Sequence, residues 1–253
     1  MDSLRWMTTQ PFAHRGLHDT SRPENGMAAF AAAIDAGYGI ELDVQPSADG
    51  QAMVFHDSHL QRLTGLDAAI ASVPAAQLQR LRLAGTAETI PTLAEVLALI
   101  GGQVPLLIEL KNESARAGVI EPAVASTLAN YPGPAAVMSW NVPSMIWFRE
   151  HRPDVARGLV VTSFWGGLSF SHNPILLVAA LPIFAKGAGP QFLAHDVRHL
   201  PSSRSKSFRE AGKPVVTWTV RSEVQLATAR AHADAPVFEG EIERLLRTPA
   251  APL

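Results

Sequence analysis

The stretch that decides the fold runs from residue 11 to residue 45. It reads PFAHR at 11–15, MAAFAAAIDA at 27–36 and GIELDVQ at 39–45. The outer two pieces are short apolar runs of the kind that form strands. The middle piece has the length and composition of a helix, and Gly37 follows it as a helix-stop signal. A strand, a helix and a further strand in this order favour a parallel sheet with crossover helices.

The same alternation continues along the 253 residues. Several later runs are continuously apolar, as expected for strands that are covered on both faces. Eight strands that alternate with helices over this length predict one closed (β/α)8 TIM barrel. The predicted strands are Pro11–Arg15, Gly39–Gln45, Val104–Leu110, Ala135–Ser139, Ala156–Val161, Phe192–His195, Pro214–Val220 and Pro236–Phe238. The predicted helices are Met27–Ala36, Leu93–Ile100, Val119–Asn130, Val142–Glu150, Ser203–Ala211 and Glu223–Ala231.

One irregularity follows the second strand. Ser47-Ala-Asp-Gly50 is typical of a hairpin turn, and Gln51–His56 reads as a strand directly after it. Residues 57–91 then contain Gly, Thr, Ser and Pro without a helical pattern. We therefore expect a single domain over residues 1–253, with a small insertion at about 57–91 near one end of the barrel.

Composition excludes several classes of protein. The net charge of -2 argues against a sequence-independent nucleic-acid binder, which would need a basic surface. The absence of cysteine excludes disulfides, thiolate metal sites and a cysteine nucleophile. The most apolar stretch, Ile175–Ala185, is broken by Pro182 and is shorter than the roughly 20 residues of a bilayer-spanning helix. These features predict a cytoplasmic protein without stable membrane insertion, and they leave the oligomeric state open.

Acidic residues occur where two predicted strands end. Glu41 and Asp43 lie two apart on the second strand, as Glu109 and Lys111 do at the end of the third. Residues two apart point to the same side of a sheet, and the strand ends of such barrels build the active site. Three clustered carboxylates would repel one another unless a cation neutralised them. An all-oxygen set of this kind suits Mg²⁺ or Ca²⁺ better than Zn²⁺.

Two imidazoles accompany these carboxylates. His14-Arg15-Gly16 ends the first strand, and His56-Asp57 ends the strand after the hairpin turn. Imidazole titrates near neutral pH, so a pair of histidines can donate and accept protons on two sides of a phosphorus atom. The cations Arg15 and Lys111 suit phosphate binding, although Lys111 could instead pair with a carboxylate.

This ordered set of motifs resembles the glycerophosphodiester phosphodiesterase family, whose fold is a TIM barrel with a small insertion. The resemblance covers most of the chain and is dense in its first half. The matching residues are His14-Arg15-Gly16, Pro23-Glu24-Asn25, Glu41-Leu42-Asp43, Asp49-Gly50, His56-Asp57, Pro91-Thr92-Leu93, Glu109-Leu110-Lys111 and Thr217-Trp218-Thr219-Val220.

The resemblance implies a role for each matching residue. Glu41, Asp43 and Glu109 would bind one divalent metal ion. His14 and His56 would be the general acid and base, and the sequence leaves open which is which. Arg15 and Lys111 would bind phosphate oxygens, while Trp218 would line the pocket for the alcohol.

The chain departs from the family pattern at three places. Gly26 replaces the threonine of Pro-Glu-Asn-Thr, Arg221 replaces an asparagine after the seventh strand, and Glu239-Gly240 replaces a hydroxyl-Asp pair at the eighth. These changes leave the metal and histidine set intact but affect the expected alcohol specificity. The simplest alternative role for Asn25 is to cap the first helix.

The function expected from these residues is metal-dependent hydrolysis of glycerophosphodiesters to glycerol 3-phosphate and an alcohol. The nucleophile would be water or the substrate's own glycerol 2-hydroxyl group. One alternative is a lysophospholipase D-like or cyclising phosphodiesterase, for which apolar segments at Leu168–Phe170 and Ile175–Val178 could hold an acyl chain. Another alternative is a non-catalytic scaffold that binds phosphate or metal. Retention of both histidines and all three carboxylates argues against that scaffold.

Overall fold

Eight parallel strands form the barrel in the computed structural model, which describes residues 4–113, 116–162 and 187–247. The first barrel strand pairs with both the second and the last, and this pairing closes the sheet. The predicted (β/α)8 TIM barrel is confirmed. The barrel strands are β1 Phe12–His14, β2 Gly39–Pro46, β4 Leu106–Leu110, β5 Ala135–Ser139, β6 Ala156–Val161, β7 Phe192–Asp196, β8 Val215–Val220 and β9 Ala235–Phe238. A ninth strand, β3 Ala52–Val54, pairs antiparallel to β2 after the predicted hairpin turn.

Helices cover the outside of the barrel, and their ends follow local signals. Thr92 and Glu95 form a capping box at the start of α4, while Gly101 ends that helix in the left-handed conformation. The helices in the described part of the chain are α1 Met27–Asp35, α2 Gln61–Thr64, α3 Ala75–Leu78, α4 Leu93–Ile100, α5 Glu121–Leu128, α6 Val142–His151, α7 Ser203–Glu210, α8 Glu223–His232 and α9 Ile242–Arg247. All six predicted helices are present, with ends that differ by up to two residues.

The first helix begins without a side-chain cap of its own. Its N-cap residue is Gly26, which makes no side-chain hydrogen bond. Instead, Oε2 of Glu88 accepts a hydrogen bond from the backbone N–H of Ala28 at 3.0 Å. A carboxylate is favourable at this end of a helix because the first N–H groups point towards it. The 57–91 segment thus supplies the acceptor that a residue-26 hydroxyl group would otherwise provide.

Alternation along the strands separates an inner from an outer core. Phe12, Leu107 and Val237 belong to the apolar cluster inside the barrel, whereas Ala13 and Ile108 pack towards the helices. On β1 and β4 the next inward position carries a polar group, His14 after Phe12 and Glu109 after Leu107. The apolar layer therefore forms the floor beneath the polar strand ends.

Residues 57–91 contain the two short helices α2 and α3 and a 3-10 turn at Ile70–Ser72. The sequence did not predict these helices, because a four-residue helix is too short to show a helical period. Their apolar side chains, including Leu60, Ile70 and Leu78, form a separate cluster with Phe55 at the end of the hairpin. The division into one domain with an insertion stays a prediction.

Within residues 4–113, 116–162 and 187–247, no helix is long and apolar enough to cross a bilayer. The stretch Ile175–Ala185 lies outside the described residues.

Candidate active site

Three buried carboxylates meet at the carboxyl ends of β2 and β4. Asp43 is the register partner of Glu109 on the neighbouring strand, and Glu41 lies two residues earlier on the same face. One oxygen from each of Glu41, Asp43 and Glu109 lies within 4.8 Å of the others. The three residues are 2%, 1% and 8% exposed. Strand register alone is sufficient to bring these groups together.

Two cations contact this cluster. Nζ of Lys111 lies 3.0 Å from Oδ1 of Asp43 and 2.8 Å from Oε1 of Glu109. Nε of Arg15 lies 3.1 Å from Oδ2 of Asp43. Burial would raise the pKa of Asp43, but Lys111 and Arg15 outweigh it and lower the pKa well below its usual range. The pairing of Lys111 with carboxylates, which the sequence allowed as an alternative, is therefore present.

Glu41 has the opposite electrostatic environment. Burial, followed by the negative charges of Asp43 and Glu109, raises its pKa well above the usual range. Three carboxylates thus face two cations, and the surplus negative charge is concentrated on Glu41. This donor set fits a hard divalent cation with oxygen ligands, because such an ion neutralises the surplus directly. The carboxylate cluster could therefore hold one divalent metal ion.

His14 projects from the end of β1 towards these carboxylates. Its Nδ1 lies 2.7 Å from Oε2 of Glu239, and its Nε2 lies 3.9 Å from Oε2 of Glu41. Burial lowers the pKa of His14 to about 4, against the opposing effect of the Glu239 hydrogen bond. An ionised carboxylate can only accept, so the neutral ring donates from Nδ1 and leaves Nε2 as an acceptor.

Glu239 in turn is held by Arg221, whose Nε contacts Oε1 of Glu239. Burial would raise the pKa of Glu239, but its contacts with His14, His18 and Arg221 lower it well below its usual range. Two of the three departures from the family pattern are therefore partners in one contact. Sequence reasoning missed this role, and the available signal was the position of both residues at the ends of adjacent predicted strands.

His56 has a parallel set of contacts. Its Nδ1 lies 2.6 Å from Oδ1 of Asp57, and Oδ2 of Asp57 lies 2.5 Å from Nε of Arg62. Burial would raise the pKa of Asp57, but hydrogen bonds with Arg62 and His56 lower it. Gln45 donates to the backbone carbonyl of His56 at 3.0 Å and fixes the chain at this point. Each predicted catalytic histidine thus has its Nδ1 bound to a carboxylate that also contacts an arginine.

The loop before α1 supports the cluster from a second side. Glu24 accepts from Nη1 of Arg15 at 2.7 Å, and Asn25 donates from Nδ2 to Oδ2 of Asp43 at 3.0 Å. Asn25 therefore does not cap the helix, because its side chain faces the carboxylates and Gly26 is the N-cap. Gly16 permits the turn at this place: its φ is +79°, and a Cβ would lie 2.8 Å from the backbone of Ala29.

Trp218 lies on β8, further round the barrel. Its Nε1 donates to the carbonyl of Ala194 at 3.0 Å, and its ring meets Trp140 edge-to-face at 5.6 Å between centroids. Trp140 is 41% exposed, so the pair reaches from the barrel interior to the surface. The role of Trp218 in the alcohol pocket stays a prediction. The acyl-chain segments Leu168–Phe170 and Ile175–Val178 lie outside the described residues.

The chain is similar to known phosphodiesterases along most of its length. The Glycerophosphoryl diester phosphodiesterase family model matches residues 14–247. A glycerophosphodiester phosphodiesterase of Bacillus altitudinis is 30% identical over 229 residues, which cover 86% of this chain and 89% of the relative.

Solved structures agree with this match. An Oleispira antarctica phosphodiesterase, in complex with the product sn-glycerol-3-phosphate, aligns with a TM-score of 0.78 at 25% identity and covers 94% of this chain and 96% of its own. A Thermotoga maritima glycerophosphodiester phosphodiesterase aligns with a TM-score of 0.70 at 24% identity, covers 93% of this chain and 96% of its own, and supports the fold. The predicted resemblance is confirmed: the chain belongs to the glycerophosphoryl diester phosphodiesterase family and is an enzyme of that class.

Proposed function

We propose that this enzyme hydrolyses glycerophosphodiesters to glycerol 3-phosphate and an alcohol, with one divalent metal ion and two histidines. The observation that carries the proposal is the convergence of three buried carboxylates with Nε2 of His14 at one end of the barrel. The product complex of the Oleispira relative supports a small phosphodiester as substrate.

Glu41, Asp43 and Glu109 would hold the metal ion, and their oxygen donors favour Mg²⁺ or Ca²⁺. When bound, such an ion neutralises phosphoryl oxygens and lowers the pKa of a coordinated hydroxyl group. Asn25 orients Asp43 through its hydrogen bond to Oδ2, so the carboxylate face is fixed before any ligand arrives.

Arg15 and Lys111 bind the phosphate oxygens in this proposal. Both cations already lie at the carboxylate cluster, where they contact Asp43. Burial would lower the pKa of Arg15, but Asp43, Glu24 and Glu41 raise it, so the guanidinium stays charged. Its planar fork suits two phosphate oxygens at once, and Lys111 adds a point charge.

His14 and His56 move the protons. In each ring Nδ1 is held by a carboxylate, which leaves Nε2 for the reacting oxygens. One histidine accepts a proton from the attacking hydroxyl group while the other donates a proton to the leaving oxygen. The arrangement fits either assignment of acid and base, and either water or the glycerol 2-hydroxyl as nucleophile. Trp218 and Trp140 would contact the alcohol part of the substrate.

The test is release of glycerol 3-phosphate from glycerophosphocholine and related head-group diesters in the presence of Mg²⁺ or Ca²⁺. We expect His14→Ala and His56→Ala each to lose about 10²–10⁴-fold in kcat, the usual contribution of a general acid or base. His232→Ala, at a partly exposed position on α8 outside the candidate site, is the matched control and retains activity. Near wild-type turnover in either active-site variant would contradict the two-histidine mechanism.

A further inference from the structure

A second group of metal-ligand side chains lies on the other side of the His14 ring. One ligand atom from each of His14, His18 and Glu239 lies within 4.8 Å of the other two. This group is distinct from the carboxylate cluster, which faces Nε2 of His14. The proposed phosphodiester chemistry makes no use of His18.

The distance between His18 and Glu239 matches that between ligands of one small ion, whereas His14 and Glu239 lie at hydrogen-bond distance. Ligand atoms about 2.0–2.2 Å from a tetrahedral zinc ion lie roughly 3.3–3.5 Å from one another. Nε2 of His18 lies 3.5 Å from Oε2 of Glu239, and Nδ1 of His14 lies 2.7 Å from the same oxygen. An ion bound by the three residues would therefore replace the hydrogen bond between His14 and Glu239 and move these two atoms apart.

His18 provides an independent observation. Its Nε2 is buried and makes no hydrogen bond of ordinary geometry with the described residues: Oε2 of Glu239, which it faces, lies 3.5 Å away. Buried polar atoms are nearly always hydrogen-bonded, and an exception calls for an explanation such as an ion. An imidazole nitrogen at this position can serve as a metal ligand. The His18 side chain as a whole is 24% exposed, so an ion can reach it from solvent.

Arg221 fixes the third ligand. It contacts Oε1 of Glu239, which leaves Oε2 directed at the two imidazoles. Hydrogen-bonded carboxylates of this kind are common among metal ligands, because the outer contact sets the orientation of the donor oxygen. The positive charge of Arg221 opposes cation binding, but its side chain is 55% exposed and contacts the oxygen that does not face the imidazoles.

We propose that His14, His18 and Glu239 form a zinc site, separate from the all-oxygen site of the carboxylate cluster. Two imidazoles and one carboxylate make a donor set that selects a borderline ion such as Zn²⁺, whereas carboxylates alone select Mg²⁺ or Ca²⁺. The chain thus presents two metal sites of different chemistry on opposite sides of the His14 ring, and only the zinc site uses a ring nitrogen as a ligand.

Zinc at this site inhibits the enzyme. Binding at Nδ1 moves the proton of that nitrogen to Nε2, so that the neutral ring keeps one proton. Nε2 then can no longer accept a proton from the reacting hydroxyl group, and Glu239 no longer orients the ring. The inhibitory consequence rests on the proposed role of His14 in proton transfer, while zinc binding itself does not.

Calorimetric titration of the full chain with Zn²⁺, in excess Mg²⁺ to occupy the carboxylate cluster, tests the site. We expect wild type to bind one zinc ion, His18→Ala to bind it at least about tenfold more weakly, and Glu239→Gln to show a similar loss. His232→Ala should bind zinc as wild type does. Unchanged zinc affinity in both His18→Ala and Glu239→Gln, or complete displacement of zinc by Mg²⁺, would overturn the proposal.

Activity supplies a second readout. In saturating Mg²⁺, zinc should inhibit glycerophosphocholine hydrolysis by wild type, and His18→Ala should need at least about ten times more zinc for the same inhibition. Equal inhibition of both proteins would refute the inhibitory role. Should neither protein cleave the substrate, the proposed function would fail, while calorimetry would still decide whether the zinc site exists.

Discussion

His14 and Glu239 form a hydrogen bond between the first and last strands of the barrel. Nδ1 of His14 lies 2.7 Å from Oε2 of Glu239, although the residues are 225 positions apart in the chain. The contact becomes possible because β1 pairs with β9 where the barrel closes. A residue outside the family pattern therefore sets the tautomer of a predicted catalytic histidine.

Removal of the Glu239 carboxylate should impair turnover more than substrate binding. We expect Glu239→Ala to lower kcat on the order of 10²-fold, because the His14 ring loses its fixed tautomer and orientation. KM should change little, since Glu239 does not belong to the phosphate-binding set. Steady-state kinetics on glycerophosphocholine gives both constants.

Two further variants grade this effect. Arg221→Ala should cost less than Glu239→Ala, because it removes only the outer contact. Glu241→Ala, at a position that is 92% exposed, is the control and should behave as wild type. A kcat for Glu239→Ala within twofold of wild type would show that His14 needs no such support.

Arg62 joins the insertion to the site and should contribute to stability. It contacts both Asp57 and Glu24, and its side chain is 47% exposed. Exposed pairs each contribute about 0.2–1 kcal/mol, so Arg62→Ala should lower the free energy of unfolding by about 1 kcal/mol at pH 7. Urea denaturation measures the difference, with Arg80→Ala as a control at an exposed position of the same segment.

The pH dependence of that difference has a defined sign. Despite burial, Arg62 lowers the pKa of Asp57 and of Glu24 in the folded state. Stabilisation from a lowered carboxyl pKa is complete above the unfolded values, 3.8 and 4.5, and is lost as the pH falls through the folded values. The gap between wild type and Arg62→Ala should therefore shrink below about pH 4. A gap independent of pH would mean that Arg62 acts through packing.

His14 should make the metal-free enzyme less stable in mild acid. Its folded pKa is about 4, against 6.5 in the unfolded chain, mainly because burial disfavours the charged ring. The unfolded state therefore takes up a proton between these values that the folded state refuses, and stability falls as the pH decreases through 6.5.

A variant without a titrating group at this position isolates the effect. In EDTA, wild type should lose about 2 kcal/mol more than His14→Gln between pH 7.5 and pH 5. Urea denaturation at the two pH values gives this difference. Parallel losses in both proteins would show that the buried ring titrates normally.

Strand-borne groups could be predicted from the sequence because their geometry follows a period of two. Glu41 and Asp43 share a face for this reason, and the register of β2 with β4 adds Glu109. The period does not reveal which loop residues hold these groups. Asn25 adopts a positive φ of 58° and turns to Asp43, a direction that no local pattern specifies.

The orienting carboxylates depend on contacts that only the closed barrel provides. Glu239 reaches His14 because the ends of the sheet meet, and Arg221 reaches Glu239 from the adjacent strand end. Arg62 lies on a helix of four residues that sequence periodicity cannot detect. Such contacts join positions far apart in the chain, so a single sequence identifies the reacting groups more readily than their supports.

The proposed mechanism makes phosphodiester cleavage depend on a divalent ion at Glu41, Asp43 and Glu109. Its most direct test is the rate of glycerol 3-phosphate release from glycerophosphocholine by EDTA-stripped enzyme that is titrated with Mg²⁺ or Ca²⁺. We predict that stripped enzyme is inactive, that either or both ions restore turnover, and that Asp43→Asn is not restored whereas the control Asp67→Asn is. Full activity of the stripped wild-type enzyme, or of Asp43→Asn, would contradict the account.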